Sequence, residues 1–173
     1  LGVRELDSKI TIWANDMAGN ESHHVTNRIV YNTEKPQIHM ESDIDYTTWV
    51  NQDVAFHTTV KDSKSGIQEI TYSVDGEIVK QVTFDKVVND YSYDLVATKN
   101  ADKVSGYAVT VEVTNNSGLT AKATRQVYID KETPKVELTG VTNEVHYNTN
   151  QTIHTKVSDV SYKNTKTTYY VTR

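Results

Sequence analysis

The sequence repeats itself at an interval of just under 100 residues, and this repeat limits the possible folds more than any other feature. The chain has only two prolines, Pro36 and Pro134, which lie 98 residues apart. Glutamate stands two residues before each of them, and a short run of β-branched and aromatic residues precedes each at 29–31 and 127–129. A repeat of this length indicates a series of similar folding units.

The repeat extends to both sides of the two prolines. The aligned segments are 10–19 with 109–118, 36–40 with 134–138, and 56–62 with 153–159. The interval stays between 97 and 99 residues in all of them, so the match is not confined to the linkers. We therefore predict three pieces. Residues 1–35 are the C-terminal strands of a preceding module, residues 36–133 are a complete module, and residues 134–173 are the N-terminal strands of a following module.

Apolar and polar residues alternate at a spacing of two, which is typical of β-strands with one buried face. The clearest run covers 107–113, and similar runs cover 54–60 and 70–74. The last of these ends at Asp75-Gly76, a dipeptide that favours a hairpin turn because it tolerates positive φ. No segment keeps an apolar stripe at helical spacing, so the sequence predicts an all-β chain.

The length of the repeat predicts the kind of β-fold. A unit of about 100 residues with about seven short strands has the size of an immunoglobulin-type β-sandwich. Proline cannot donate to a β-ladder and suits the start of an edge strand, so Pro36 and Pro134 are predicted to mark module boundaries. The chain has no cysteine, which excludes disulfides, cysteine zinc sites and thiol catalysis. The predicted fold is all-β, with immunoglobulin-like β-sandwich modules in tandem.

Several segments resemble the bacterial immunoglobulin-like modules that occur in tandem in surface adhesins and other large exported proteins. They are 15–20, which resembles the turn between the last two strands of that family, 62–67 with 72–76, and the linker at 128–134. The resemblance covers nearly the whole chain. The central repeat departs from the family pattern at 115–119, where Asn115 stands in place of an acidic residue, and the third repeat lacks the Ser-Gly-Ile segment after Asp159.

The resemblance implies an extracellular location, on a bacterial cell surface or after secretion, and a role in spacing, display or adhesion. It implies no shared catalytic residues, so we do not expect an enzyme. The partners it implies are the neighbouring modules of the same chain and a protein or glycan of a host or cell surface. An alternative is an accessory glycan- or protein-binding module of a large secreted enzyme.

Charge and hydropathy exclude two other classes of partner. The net charge is -5 with acidic and basic residues interspersed, and without a basic patch nucleic acid is not an expected partner. No apolar run approaches the length that spans a bilayer, so this segment is not expected to insert into a membrane. Because Leu1 is not a natural start, we interpret the sequence as a segment of a longer chain.

Carboxylates and amides near the predicted module joints are the candidate ligands for Ca²⁺. They form two groups, Asn15 with Asp16 and Asn20, and Asp62 with Asp130 and Glu132. The competing interpretation is turn chemistry, because Asn and Asp stabilise tight turns through local hydrogen bonds. No segment has the spacing of an EF-hand loop or of a known catalytic motif. We therefore predict no catalytic, cofactor-binding or metal-binding residues, with Ca²⁺ at a module joint as the alternative.

The histidines are predicted to lie on the surface. His57 and His154 occupy equivalent positions in the repeat, and strand alternation directs both away from the core. His23 and His24 are adjacent, so they face opposite sides of a strand and cannot share a metal.

Trp13 is also predicted to face outward, because it aligns with Glu112. An outward tryptophan can contact a ligand, but packing against the neighbouring module is the interpretation we favour here.

The two terminal pieces are each too small to close a sandwich. They would expose apolar faces and strand edges. Neighbouring modules would cover these faces, or the end pieces would pair with each other or with another copy of the chain. A composite sandwich built from 1–35 and 134–173 is therefore a further hypothesis, which requires a backbone ladder between the two pieces within one chain or between chains.

Overall fold

A computed structural model describes residues 6–99, 103–161 and 168. All regular elements within these residues are β-strands, so the all-β prediction is confirmed. The strands are β1 (Leu6–Ile12), β2 (Val25–Tyr31), β3 (Gln37–Glu41), β4 (Trp49–Val50), β5 (Val54–Lys61), β6 (Ile67–Val74), β7 (Glu77–Val88), β8 (Asp90–Ala97), β9 (Tyr107–Asn115), β10 (Thr120–Ile129), β11 (Lys135–Thr139) and β12 (His154–Ser158). The predicted terminal pieces also include 1–5, 162–167 and 169–173, which lie outside the described residues.

The middle of the chain forms two sheets. One has five strands in the order β4-β10-β9-β6-β7, and the other has three in the order β3-β5-β8. Strand β6 is antiparallel to β7 and β9, β3 is antiparallel to β5, and the short β4 is parallel to β10. Every buried hydrophobic side chain among the described residues lies between Met40 and Ile129.

Side chains from the two sheets meet in a common core. Phe56 on β5 and Tyr72 on β6 are fully buried. The Tyr72 ring lies 4.9 Å from the Tyr93 ring of β8, centroid to centroid, and Thr58 of β5 donates to the Tyr72 hydroxyl over 3.5 Å. Burial raises the pKa of that hydroxyl, because the phenolate would be poorly solvated in the core. The sheets therefore pack face to face as a β-sandwich.

The chain divides into two compact units. The first contains 1–41, 56–95 and 108–125, and the second contains 42–55, 96–107 and 126–173. Strands β5, β8, β9 and β10 contribute residues to both units. The module boundaries that the repeat predicts before Pro36 and Pro134 stay a prediction.

The strands and the turn predicted from alternation are confirmed. The runs at 54–60, 70–74 and 107–113 lie in β5, β6 and β9. Asp75 and Gly76 have φ angles of 54° and 85° between β6 and β7. Two successive positive φ angles are what a type I′ hairpin turn requires, and the Asp-Gly pair supplies them with little strain.

Each end of the described chain is a two-stranded sheet of its own, formed by β1 with β2 and by β11 with β12. Within the described residues no backbone ladder joins the two ends, so a composite sandwich within one chain is contradicted, whereas pairing between copies stays a hypothesis. Both hairpins expose apolar side chains that alternation assigns to a core face, such as Ile12 on β1 and Leu138 on β11.

The strand registers follow the sequence repeat. Ile38 pairs with Val60 between β3 and β5, and the repeat-equivalent residues Val136 and Val157 pair between β11 and β12. A one-residue slip would move the apolar side chains to the opposite face, so equal register means that both strand pairs direct the same repeat positions to the same face.

Candidate functional site: a buried polar network at the first linker

Three buried polar side chains meet where the linker before Pro36 joins the sandwich. Asn32, Asp62 and Asn115 are each less than a tenth exposed. Together with Glu34 and Ser65 they form one hydrogen-bonded set, which we call the linker network.

Asp62 lies at the centre of the linker network, in the loop between β5 and β6. Its Oδ1 accepts the backbone N–H groups of Lys64 (3.1 Å), Ser65 (2.8 Å) and Gly66 (3.0 Å). Its Oδ2 accepts the side-chain N–H of Asn115 over 2.8 Å. The loop folds back over the carboxylate because Gly66 has a φ of 77°, which suits glycine. Both carboxylate oxygens are thus satisfied by N–H donors.

Asn115 connects three parts of the chain. Its Nδ2 donates to Asp62 and also to the backbone carbonyl of Glu34, over 3.2 Å. Its Oδ1 accepts the backbone N–H groups of Ser117 (3.1 Å) and Leu119 (2.9 Å) in the turn between β9 and β10. The side chain therefore ties the linker to the Asp62 loop and holds its own turn.

Asn32 holds the linker from the other side. Its Oδ1 accepts the backbone N–H of Glu34 over 2.8 Å, and its Nδ2 donates to the Ser65 hydroxyl over 2.9 Å. The N–H and the C=O of Glu34 are thus both bound within the linker network. A linker whose backbone is fixed at both groups is stiffer than one bound only by water.

The hydrogen bonds of the linker network hold the loops and the linker in place. Among the described residues, no buried side-chain nitrogen or oxygen lacks a hydrogen-bond partner. A buried carboxylate with both oxygens engaged is stabilised by its donors, whereas the loss of one donor would leave charge uncompensated. The arrangement favours Asp62 as a fixed anchor for the linker and not as a proton-transfer group.

The turn at Asp16 is built like the turn at Asn115, its repeat equivalent. Asp16 Oδ1 accepts the backbone N–H groups of Ala18 (2.9 Å) and Asn20 (2.8 Å), the same relative positions that bond to Asn115. The replacement of aspartate by asparagine therefore preserves the turn, and the departure from the family pattern at 115–119 changes the charge and not the geometry.

The two turns are expected to differ in their response to pH. The side chain and backbone of Asn20 hydrogen-bond to Asp16 and lower the pKa of its carboxyl. A lowered pKa in the folded state means that the stabilisation is present above the unfolded pKa and is lost as the carboxyl becomes protonated, below about pH 4. Asn115 does not titrate.

Hydrogen exchange measured by NMR between pH 5 and pH 2.5 tests this difference. The Ala18 and Asn20 amides should lose protection relative to their intrinsic exchange rates as the pH falls, while Ser117 and Leu119 keep theirs. Parallel loss of protection in both turns would contradict the assignment to the Asp16 carboxylate.

The second linker repeats one part of this arrangement with carboxylates. Asp130 Oδ1 accepts the backbone N–H of Glu132 over 3.0 Å, as Asn32 does with Glu34. Asp159 Oδ1 accepts the backbone N–H of Ser161 over 2.8 Å and also the Ser161 hydroxyl over 2.7 Å. The bonds from Ser161 are the main reason that the pKa of Asp159 is lowered. An ion pair between Lys131 and Asp53 adds a further link at this linker.

The candidate Ca²⁺ ligands are occupied by turn and linker hydrogen bonds. Asp16 holds its own turn, Asp62 belongs to the linker network, and Asp130 bonds to the Glu132 backbone. Within residues 6–99, 103–161 and 168, no group of three or more His, Cys, Asp or Glu side chains is placed to hold a metal ion. The sequence grouped Asp62 with Asp130 and Glu132, whereas in the structure Asp62 accepts from Asn115 and Asp130 accepts from the Glu132 backbone.

The histidine prediction is confirmed for the strand positions. His57 faces away from the core and its Nδ1 lies 2.8 Å from the Asp94 carboxylate, and His154 is exposed. The interpretation that Trp13 packs against a neighbouring module is wrong for the described residues. Trp13 is 55% exposed, and its ring contact is with His24.

In comparisons with known proteins, no family model matches the sequence, and no curated protein is significantly similar to it. Within the described part of the chain, no helix has the length and apolar character that would let it cross a membrane.

Proposed function

We propose that the chain is a non-catalytic, extracellular immunoglobulin-like repeat region that acts as a stalk, spacer or adhesion module of a bacterial surface protein. The linker network carries this proposal. A spacer must keep successive modules in a fixed relative orientation, and this requires a joint that resists bending. Asn32, Asp62 and Asn115 supply such a joint, because they fix the linker backbone from within the sandwich.

The correspondence between the central sandwich and the terminal hairpins supports the tandem arrangement. The hydroxyls of Thr11 and Thr26 hydrogen-bond across β1 and β2 (2.8 Å), and those of Thr110 and Thr124 do so across β9 and β10 (3.1 Å). The first pair aligns with the second in the repeat. Pairs that recur at the repeat interval are expected of modules that share one fold.

Small-angle X-ray scattering tests the spacer proposal. A compact protein of this length has a radius of gyration of about 16 Å. We expect a radius above about 20 Å with a scattering profile of an elongated particle, because stiff joints separate the pieces. A radius near the compact value would contradict the spacer role.

A second candidate is an accessory glycan- or protein-binding module of a large secreted enzyme. The exposure of Trp13 favours this binding role, because tryptophan is enriched at recognition surfaces and is seldom exposed to solvent without a partner. The two candidates differ in where the function lies. The spacer acts through its joints, whereas the binding module acts through a surface.

A further inference from the structure

We propose that Trp13, His24 and Glu21 form a platform that binds a neutral pyranose ring of a glycan. The proposal deepens the second candidate function and does not depend on the spacer role. Trp13 follows the last residue of β1 and His24 precedes the first residue of β2, so the two face each other across the hairpin. Their ring centroids lie 5.4 Å apart at an interplanar angle of 47°.

The platform lies on the face of the hairpin that the repeat aligns with the outward face of the central sandwich. Ile10 and Ile12 occupy the opposite face, because side chains alternate along a strand. In the central repeat, the positions equivalent to Trp13 and His24 are held by Glu112 and Lys122. Those two side chains form a solvent-exposed ion pair of 3.7 Å. The alignment with this exposed pair therefore assigns Trp13 and His24 to the outward face of their repeat.

An aromatic pair has thus replaced a charge pair at a position that faces water. Two exposed charges stabilise a hairpin only slightly, but they keep the surface soluble. An exposed indole makes the surface less soluble than a charge pair does. Burial of its apolar area against a ligand would be favourable, because it removes that area from water. The aromatic pair therefore indicates that this position of the first repeat binds a ligand.

Two residues of the platform, Glu21 and His24, supply polar groups at the edge of the Trp13 ring. Glu21 Oε1 lies 2.6 Å from His24 Nε2, and both side chains are about half exposed. The segment from Asn20 to His24 is one residue longer than its equivalent from Leu119 to Lys122, and this extra residue accompanies the placement of Glu21 beside the ring pair. A carboxylate and an imidazole can accept and donate hydrogen bonds at the edge of the apolar ring.

A sugar ring fits this combination better than a protein surface does. A protein-binding tryptophan usually lies at the centre of a wider apolar patch that excludes water. Here the same face of the hairpin carries Thr11, Thr26 and the bidentate Arg28–Asp7 ion pair. The partner must therefore be small and amphipathic. A pyranose has an apolar C–H face for the indole and hydroxyls for Glu21 and His24.

Intrinsic fluorescence can report binding at this site. The chain has two tryptophans, and Trp49 packs against Tyr128 at 5.5 Å between ring centroids. In a Trp49→Phe background, the remaining tryptophan emission comes from Trp13 and is excited selectively at wavelengths that tyrosine does not absorb. We would titrate this protein with hexasaccharides of β-1,4-linked glucose, β-1,4-linked N-acetylglucosamine and α-1,4-linked glucose. The expected result is a saturable blue shift with at least one of them, because stacking removes water from the indole.

The repeat provides matched variants for the binding test. Trp13→Glu with His24→Lys installs the ion pair of the central repeat and should abolish binding without unfolding the hairpin, as measured on immobilised hexasaccharide. Glu112→Trp with Lys122→His, placed in the double variant, should restore weaker binding, because the central repeat lacks the equivalent of Glu21.

Two outcomes would overturn the proposal. One is the absence of a saturable shift with all three hexasaccharides. The other is self-association in sedimentation experiments that Trp13→Glu removes, which would assign the platform to contact with a second copy of the chain. Absence of glycan binding leaves the radius of gyration unchanged, and if the chain self-associates the radius can be measured on Trp13→Glu, so failure of the platform and failure of the spacer role can be distinguished.

Discussion

Replacement of Asn115 by aspartate is expected to lower the free energy of unfolding by about 3 kcal/mol at pH 7. The Asn115 amide donates to the Asp62 carboxylate over 2.8 Å and to the Glu34 carbonyl over 3.2 Å. Aspartate removes both donor bonds and places a second buried carboxylate against the first. The two carbonyl-type acceptor bonds of the turn at Ser117 and Leu119 can be kept, as Asp16 keeps them in the equivalent turn.

The loss should depend on pH in a direction that identifies its cause. Two adjacent buried carboxylates cannot both ionise easily, so the pKa of one of them rises in the folded variant. A raised folded pKa means that protonation stabilises the folded state, and the deficit should shrink as the pH falls from 7 towards 5. Urea unfolding at several pH values measures this trend for the variant and the unchanged protein.

Asn116→Asp is the matched control. Asn116 is exposed, and its Nδ2 donates to the backbone carbonyl of Ser65 over 2.9 Å. Its replacement changes the same charge at the neighbouring position, outside the buried network, and should lower the unfolding free energy by less than about 1 kcal/mol. Equal losses for the two variants, or a deficit that does not change with pH, would show that the Asp62–Asn115 contact does not fix the linker.

The sequence predicted the strands better than it predicted this network. Alternation identifies which residues of β5, β6 and β9 face the core, because the period of two is a local property of each strand. The contact between Asp62 and Asn115 spans 53 residues and depends on how two loops meet after the sheets have packed. No local pattern carries that information, so the two residues were interpreted as turn residues and Asp62 as a candidate Ca²⁺ ligand.

For Trp13, too, the sequence predicts the local orientation of the side chain but not its contacts. The repeat predicts its side chain on the outward face, because the exposed Glu112 occupies the equivalent position. The sequence could not show what lies above that face, and packing against a neighbour was the more common outcome to expect. The contact between Trp13 and His24 follows from the register of β1 and β2. An alignment of His24 with Lys122 in the repeat would have predicted the same contact.

Phe56→Ala is expected to lower the unfolding free energy by about 3–5 kcal/mol, whereas Ile153→Ala at the equivalent repeat position should change it by less than about 0.5 kcal/mol. Phe56 is fully buried in the central sandwich, and Ile153 is 57% exposed. The first substitution creates a cavity between packed sheets. The second removes atoms that already contact water, so little transfer free energy is lost.

This pair of variants tests whether the cooperative core lies within the central repeat. Chemical denaturation followed by the fluorescence of Trp49, in a Trp13→Phe background, reports the unfolding of the β4–β10 pairing through its contact with Tyr128. A large loss for Ile153→Ala would mean that the apolar face of β11 and β12 is covered in solution. In that case the core would extend beyond 36–133, and the predicted division into one complete and two partial modules would have to be abandoned.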